Sequence, residues 1–211
     1  YSTIGARFPN PLLEQAFARH TMPETADAVA AELGLSREAC DAYALQSQQR
    51  FAAAQVAGVF AQEIVAVEVP QGRKVPPLSF AVDEHPRGDT TLASLQKLKP
   101  LFAGGVTTAG NASGINDGAA ALLLGSRAAG ERHGQAPLAR VLSAAVVGVE
   151  PRLMGLGPVG AIELALARAG ISWAQVDLLE INEAFAAQVL GCLQRLGLQA
   201  DDARVNPNGG A

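Results

Sequence analysis

Val176-Asp177-Leu178-Leu179-Glu180-Ile181-Asn182-Glu183-Ala184-Phe185-Ala186-Ala187-Gln188-Val189-Leu190-Gly191-Cys192-Leu193-Gln194-Arg195-Leu196 changes its hydrophobic period at Asn182. The six residues before it form a short apolar run of strand length, and after it Phe185, Val189, Leu193 and Leu196 recur at helical spacing. A strand that runs straight into a helix belongs to an α/β layer, and asparagine is among the preferred residues for capping the helix. The same turn lies at the carboxyl end of the strand, where α/β sheets form their ligand crevices. Asn182 therefore reads either as a cap alone or as a polar amide presented to a cleft.

Upstream, the pattern repeats. Residues 158–169 are helical, with Pro158 suited to the first turn and Gly170 to the end. Residues 138–149 read as a long apolar strand, 127–133 as a helix and 119–124 as a buried strand. From about Val106 onward the chain is strand, helix, strand, helix, which predicts a layered α/β fold. Before that point Thr91 to Leu98 reads as a short helix stopped by Pro100, and residues 64–69 as a strand ending at Pro70, with a proline-rich connection through Pro76 and Pro77. Ser36 caps a helix that Gly58 stops, and Thr21 and Glu24 have capping-box spacing at the head of a helix over 23–33 that Gly34 closes. These two helices are expected to form a hairpin. Residues 1–15, with Gly5, Pro9 and Pro11, read as an ordered loop.

A chain of 211 residues is long enough to bury a sizeable core. Its net charge of −4 comes without a basic cluster, which argues against nucleic acid and against an anionic membrane surface as partners. Two cysteines, Cys40 and Cys192, and three histidines make no metal-ligand spacing and no disulfide framework. No apolar run approaches a membrane span, and no targeting segment is visible, so a cytoplasmic location is expected. The start at Tyr1 and the glycine-rich stop at Ala211 suggest a piece of something longer.

Gly155-Leu156-Gly157-Pro158-Val159-Gly160 fits the dinucleotide fingerprint, with Glu180 at the required distance. The preceding strand ends too early, however, since Glu150, Pro151 and Arg152 intervene, and a glycine-rich helix entry explains the run better. Thr107-Thr108-Ala109-Gly110-Asn111-Ala112-Ser113-Gly114-Ile115-Asn116-Asp117-Gly118 is either a tight structural turn or a loop whose backbone N–H groups and Ser113 meet a ligand. Arg87 could meet a phosphate through its planar fork or could simply be solvated. No nucleophile elbow and no phosphate-binding loop of the P-loop type is present.

Taken together, Asn182-Glu183-Ala184-Phe185, the run from Thr108 to Gly118, Met154-Gly155-Leu156-Gly157-Pro158 and Asn206-Pro207-Asn208-Gly209-Gly210-Ala211 resemble the thiolase family. Arg7-Phe8-Pro9-Asn10-Pro11, Met22-Pro23-Glu24-Thr25-Ala26-Asp27 and Ser47-Gln48-Gln49-Arg50 are most similar to its degradative branch, 3-oxoadipyl-CoA thiolases in particular. The resemblance implies the thiolase-like layered α-β-α-β-α fold with an inserted loop domain, only part of it present here. Residues 1–105 would be the loop domain that binds CoA, 106–134 the end of the N-terminal half and 135–211 the start of the C-terminal half. Homodimers or homotetramers are the implied assembly.

The implied chemistry is transfer of an acyl group from a 3-oxoacyl-CoA to CoA through a cysteine thioester. The products are acetyl-CoA and a shortened acyl-CoA, for example succinyl-CoA from 3-oxoadipyl-CoA in aromatic degradation, or a fatty acyl-CoA in β-oxidation. CoA and acyl-CoA enter as substrates, with no covalently bound cofactor and no metal. Matching by position implies that Asn182 holds a water that donates to the enolate oxygen. Arg87, Ser94, Ser113, Met22, Leu13, Phe102, Ala109 and Phe185 would line the CoA site, Arg87 near the nucleotide end and Ser113 on the pantetheine arm. Thr21 stands where some members place a CoA-contacting histidine. The reactive cysteines and the Gly-His-Pro histidine of the family match no residue of this chain, and Cys40 and Cys192 fall in the wrong places to replace them. A truncated, non-catalytic acyl-CoA-binding or assembly module is the alternative reading.

Overall fold

A computed structural model describes residues 10–17 and 19–210; the motif around Arg7 and Phe8 lies outside them, as does Ala211. Helix α1 spans Pro11–Ala16, α2 Met22–Leu33 and α3 Arg37–Val56; a two-stranded antiparallel hairpin follows, β1 Val67–Val69 and β2 Leu78–Phe80. Then come α4 Leu92–Gln96, α5 Arg127–Arg132, α6 Gly157–Ala169 and α7 Ala186–Leu196. Local chemistry accounts for the boundaries of α2. The Glu24 carboxylate accepts from the Thr21 N–H at 2.6 Å and from its hydroxyl at 2.7 Å, and Gly34 ends the helix with a positive φ of 66°.

The core is built round α7. Residues 186–193 are all buried, so this helix is covered on every side. Helix α2 crosses it at Gly191, where a Cβ would stand 2.6 Å from Val29 Cγ1. Helix α3 packs against another side of α7 through Cys40 and Tyr43. Helices α2 and α3 are joined by a short turn, but both pack on α7, and α2 packs also on the turn Pro151–Leu156, so the expected hairpin opens around a third helix. Fully burying side chains such as Val29, Val189 and Leu193 contributes roughly 1.5–3 kcal/mol each.

Several expected elements take another form. Residues 11–15, read as loop, fall in α1, because the Asn10 side chain accepts from the Leu12 N–H at 3.0 Å and Pro11 tolerates a first turn. The proline-rich connection contains β2, and only Val67–Val69 of the expected strand pairs with it. Residues 119–124 are exposed, with Leu122 and Leu123 at 90% and 93%, and form no ladder. Residues 138–149 also lack a ladder, although Ser143, Ala145 and Val147 are half-buried while Leu142, Ala144 and Val146 face solvent. That alternation is a strand's, with one face on α6: Ser143 Oγ donates to the Ala165 carbonyl at 2.7 Å, and the Val147 side chain lies against Gly160. What these segments lack is a hydrogen-bonding neighbour among the described residues. Residues 176–181 have one, in a single parallel rung between Leu179 and Val205.

The helix expected from Asn182 begins four residues later. Phe185 is its N-cap, in extended conformation, and Asn182 is exposed and caps nothing. Residues 182–185 are diverted instead into a bridge with the loop around Ala112.

Candidate active-site cleft

A cleft of about 270 Å³ lies where four segments meet: the middle of α3, the loop from His85 to Thr90, helix α4 with the residues after it, and the loop 109–113. Its floor is the bridge between Ala112 and Phe185, in which the Ser113 N–H donates to the Ala184 carbonyl at 3.0 Å and the Ala186 N–H to the Asn111 carbonyl at 2.9 Å. The Asn182 segment is thereby bonded to the wall of the cleft.

Each wall is held by a specific contact. The Arg87 N–H donates to Gln48 Oε1 on α3 at 2.8 Å, which fixes the loop backbone and leaves the guanidinium exposed. Gly110 admits α4, since a Cβ there would stand 2.5 Å from both Leu95 Cδ2 and Leu98 Cδ1. The His85 ring lies against Gly114 in the same way, where a Cβ would meet Cε1 at 2.5 Å. Ser94 belongs to a capping box with Thr91 at the start of α4.

Up to Asn111 the glycine-rich loop spends most of its backbone donors on the protein itself. Asp27 Oδ1 accepts from the N–H groups of Val106 and Thr107, both at 2.9 Å, and from the Thr107 hydroxyl at 2.7 Å. Asn111 Oδ1 accepts from the Thr108 N–H at 2.8 Å, and Thr108 Oγ1 from the Gly110 N–H at 3.1 Å. The two readings of this loop thus divide by residue: up to Asn111 it is a structural turn, and its offer to a ligand is the Ser113 hydroxyl and the small side chains beside it.

Beneath the cleft lie two buried carboxylates. Asp41, wholly buried, accepts from Arg37 Nε at 2.8 Å and from Asn111 Nδ2 at 2.9 Å. Glu183 accepts from the Tyr43 hydroxyl at 2.7 Å, the Ser47 hydroxyl at 2.5 Å and Asn206 Nδ2 at 2.7 Å. Burial and then the charge of Glu183 raise the Tyr43 hydroxyl's pKa, so Tyr43 remains a donor. Burial first, and Glu183 second, raises the carboxyl of Glu180. Sequence reasoning missed this layer. Its signal was present as Tyr43 and Ser47 one helical turn apart on α3, facing the glutamate of the Asn182 motif.

Of the residues expected at a CoA site, Arg87, Ser94, Ala109 and Ser113 line this cleft. Phe185 lies under it in the bridge, half-buried. Phe102 lines a different hollow, of about 590 Å³, beside α2. Leu13 on α1 and Met22 at the start of α2 are 59% and 47% exposed and line neither cavity. Both thiols are buried, Cys40 with its pKa pushed up to about 12 and Cys192 to about 11, burial being the main cause. Thiols held protonated in this way are poor nucleophiles. Among the described residues no cluster of histidine, cysteine, aspartate or glutamate could hold a metal ion, and no helix is long and apolar enough to cross a membrane.

Comparison with known proteins bears on the whole of this arrangement. Residues 7–128 match the family model described as "Thiolase, N-terminal domain", and residues 135–211 match "Thiolase, C-terminal domain". A 3-oxoadipyl-CoA/3-oxo-5,6-dehydrosuberyl-CoA thiolase of Escherichia coli K12 is 54% identical over all 211 residues, and a beta-ketoadipyl-CoA thiolase of Acinetobacter baylyi is 52% identical. In both cases the chain spans 52% of the relative's length. A crystal structure of human mitochondrial 3-ketoacyl-CoA thiolase in complex with CoA superposes with a TM-score of 0.85 at 43% identity, over 99% of this chain and 54% of that one. The Bacillus anthracis acetyl-CoA acetyltransferase gives 0.86 at 39% identity, over 98% and 54%.

Proposed function

The chain belongs to the thiolase family, and from that premise we propose that the protein carrying it cleaves a 3-oxoacyl-CoA with CoA, giving acetyl-CoA and an acyl-CoA shortened by two carbons. The preferred substrate is 3-oxoadipyl-CoA, cleaved to succinyl-CoA, a choice supported by the names of relatives more than 50% identical over the whole chain. A cysteine thiolate attacks the 3-oxo carbonyl, the bond between the second and third carbons breaks, and the departing acetyl-CoA enolate is protonated. The thiol of a second CoA then takes the acyl group and frees the cysteine. Cys40 and Cys192 are not that nucleophile, being buried and protonated.

The part played by these 211 residues is to bind CoA and to steady the enolate. Arg87, Ser94, Ala109 and Ser113 converge on one cleft whose floor is bonded to the segment carrying Asn182, and this is the observation that carries the reading. Asn182 is assigned to hold a water against the enolate oxygen, and its exposed amide suits that role. Leu13, Met22, Phe102 and Phe185 are assigned to the apolar packing of the pantetheine arm. Residues 1–105 are read as the loop domain, 106–134 as the end of one half and 135–211 as the start of the other; the gap between the two family matches supports the second of these boundaries. Assembly as a homodimer or homotetramer and a cytoplasmic location belong to the same proposal.

The test is thiolysis by the whole protein, with products separated by mass. Succinyl-CoA and acetyl-CoA formed from 3-oxoadipyl-CoA, with a higher kcat/KM than for acetoacetyl-CoA or a long-chain 3-oxoacyl-CoA, are the expected result. A preference for the long chain would overturn the substrate, and CoA-independent or absent turnover would overturn the activity.

A further inference from the structure

Asn182 is exposed and makes no side-chain hydrogen bond among the described residues, so its place is set by its neighbours. On one side, a single amide holds both backbone groups of Ile181. The Ile181 N–H donates to Asn206 Oδ1 at 2.8 Å, and Asn206 Nδ2 donates to the Ile181 carbonyl at 2.8 Å. On the other side Glu183 is bonded to Tyr43, Ser47 and the same Asn206 nitrogen. Glu183 and Asn206 are 6% and 1% exposed.

Asn206 holds these bonds from a φ of 41°, the one positive value at a non-glycine among the described residues. Such a conformation persists where the surroundings over-determine it. They do so here: the turn after Asn206 folds back until a Cβ on Gly210 would stand 2.9 Å from Glu183 Cδ, and the Gly210 N–H donates to Ser47 Oγ at 3.3 Å. Arg50 on α3 donates to the Val205 carbonyl at 2.7 Å. A buried carboxylate is a weak source of stability. Donors from α3 and from the 205–210 segment that must all reach it nevertheless leave only one arrangement of those segments.

We infer that Glu183 and Asn206 are a positioning pair for Asn182, fixing the segment 181–183 from both sides and tying it to α3. The inference rests on the role proposed above for Asn182. The coupling reaches the cleft wall, because Gln48, next to Ser47 on α3, holds the Arg87 backbone. One stretch of helix thus sets the distance between the CoA wall and the asparagine. An enolate-stabilising donor works only if it is already in place, and a displacement of about 1 Å can cost on the order of a hundredfold in rate.

The experiment is a double-mutant cycle in the whole protein, with acetoacetyl-CoA and CoA as substrates and Asn182→Ala as the reference variant. Glu183→Gln is expected to lower kcat about tenfold or more and to leave KM for CoA within about twofold, as loss of an interaction made only in the transition state does. In the Asn182→Ala background the same change is expected to lower kcat by less than about twofold, since a residue that acts through Asn182 has nothing left to position. Tyr43→Phe removes one donor and no charge; it should show a smaller loss with the same non-additivity, and it serves in place of Glu183→Gln should that variant fail to fold. Equal losses in both backgrounds would mean a purely structural role and overturn the inference. An unchanged kcat in Asn182→Ala would overturn the role of Asn182 itself, a separate failure.

Discussion

Asn111 Nδ2 donates to Asp41 Oδ1 across 2.9 Å, and both side chains are buried, so the cleft loop and α3 are joined by a bond that water does not reach. Arg37 completes the joint: its guanidinium donates to Asp41 Oδ2 at 2.8 Å and to the carbonyls of Leu95 and Leu98 at 2.8 and 3.0 Å. A single carboxylate therefore organises α3, α4 and the loop between Val106 and Asn111.

Asp41→Ala leaves the Arg37 guanidinium and the Asn111 amide without their partner. The expected loss is about 3 kcal/mol, the low end for a broken buried pair, because Arg37 keeps 19% of its side-chain surface exposed. Urea unfolding reads this as a lower midpoint. An unchanged midpoint would mean that the ion pair contributes nothing net.

Gly110→Ala pushes a methyl group into Leu95 and Leu98, both 2.5 Å from where it would sit. Overpacking of this kind costs about 1–3 kcal/mol. Here α4 must move off the loop, and Ser94 and Ser113 move apart with it. KM for CoA should therefore rise, while the same substitution at Gly34, which has open space around it, should cost stability alone through its positive φ. Equal kinetics in the two variants would show that the cleft does not depend on this contact.

These joints explain how far the sequence could be read. The helices α2, α3 and α6 were legible because their caps and stops are local: Thr21 with Glu24, Ser36, Gly34 and Gly170 act within a few residues of themselves. The start of α7 was not. Asn182 has the right chemistry for a cap, but Ser113 and Asn111 capture the backbone of residues 184 and 186 from about 70 positions away, and no periodicity reports a partner that distant. Residues 119–124 and 138–149 have strand composition, yet a strand is made by its neighbour and none is present among the described residues. Of the site, the motif match brought Arg87, Ser94, Ala109 and Ser113 to one cleft. The carboxylates beneath it escaped notice because a buried glutamate and an exposed one look alike in sequence.

Cys40 and Cys192 should resist alkylation. Burial holds their thiols protonated, with pKa values of about 12 and about 11, and Cys192 also donates to the Gly155 carbonyl at 3.2 Å. At pH 8 iodoacetamide is expected to leave both unmodified in the native protein and to label both after denaturation, as peptide mass mapping would show. Rapid labelling of either in the native state would contradict the packing around α7.

Asp202 makes a contribution to stability that depends on acid pH. Hydrogen bonds from the Arg204 side chain and N–H bring its pKa down to about 2. A folded-state value below the unfolded one stabilises the fold above the ordinary aspartate pKa of about 4, and the benefit fades as pH falls from there to about 2. Asp202→Asn should flatten that part of the stability profile and leave the profile above pH 5 parallel to the parent's. An unaltered acid limb in the variant would mean that the pair does not respond to folding.

Arg87 offers the cleanest test of the cleft, because its backbone is held while its guanidinium stays exposed. The N–H is bonded to Gln48, so Arg87→Ala removes the guanidinium without releasing the loop. A charge-assisted hydrogen bond to phosphate contributes about 1.5–3 kcal/mol. Its loss should raise KM for CoA roughly tenfold to a hundredfold and leave kcat nearly unchanged, since the nucleotide end is bound alike in the ground and transition states. Pantetheine, which lacks the phosphates, should be used equally well by the variant and the parent. Raised KM values for both acceptors would place Arg87 on the pantetheine arm instead, and an unchanged KM for CoA would remove it from the binding site altogether.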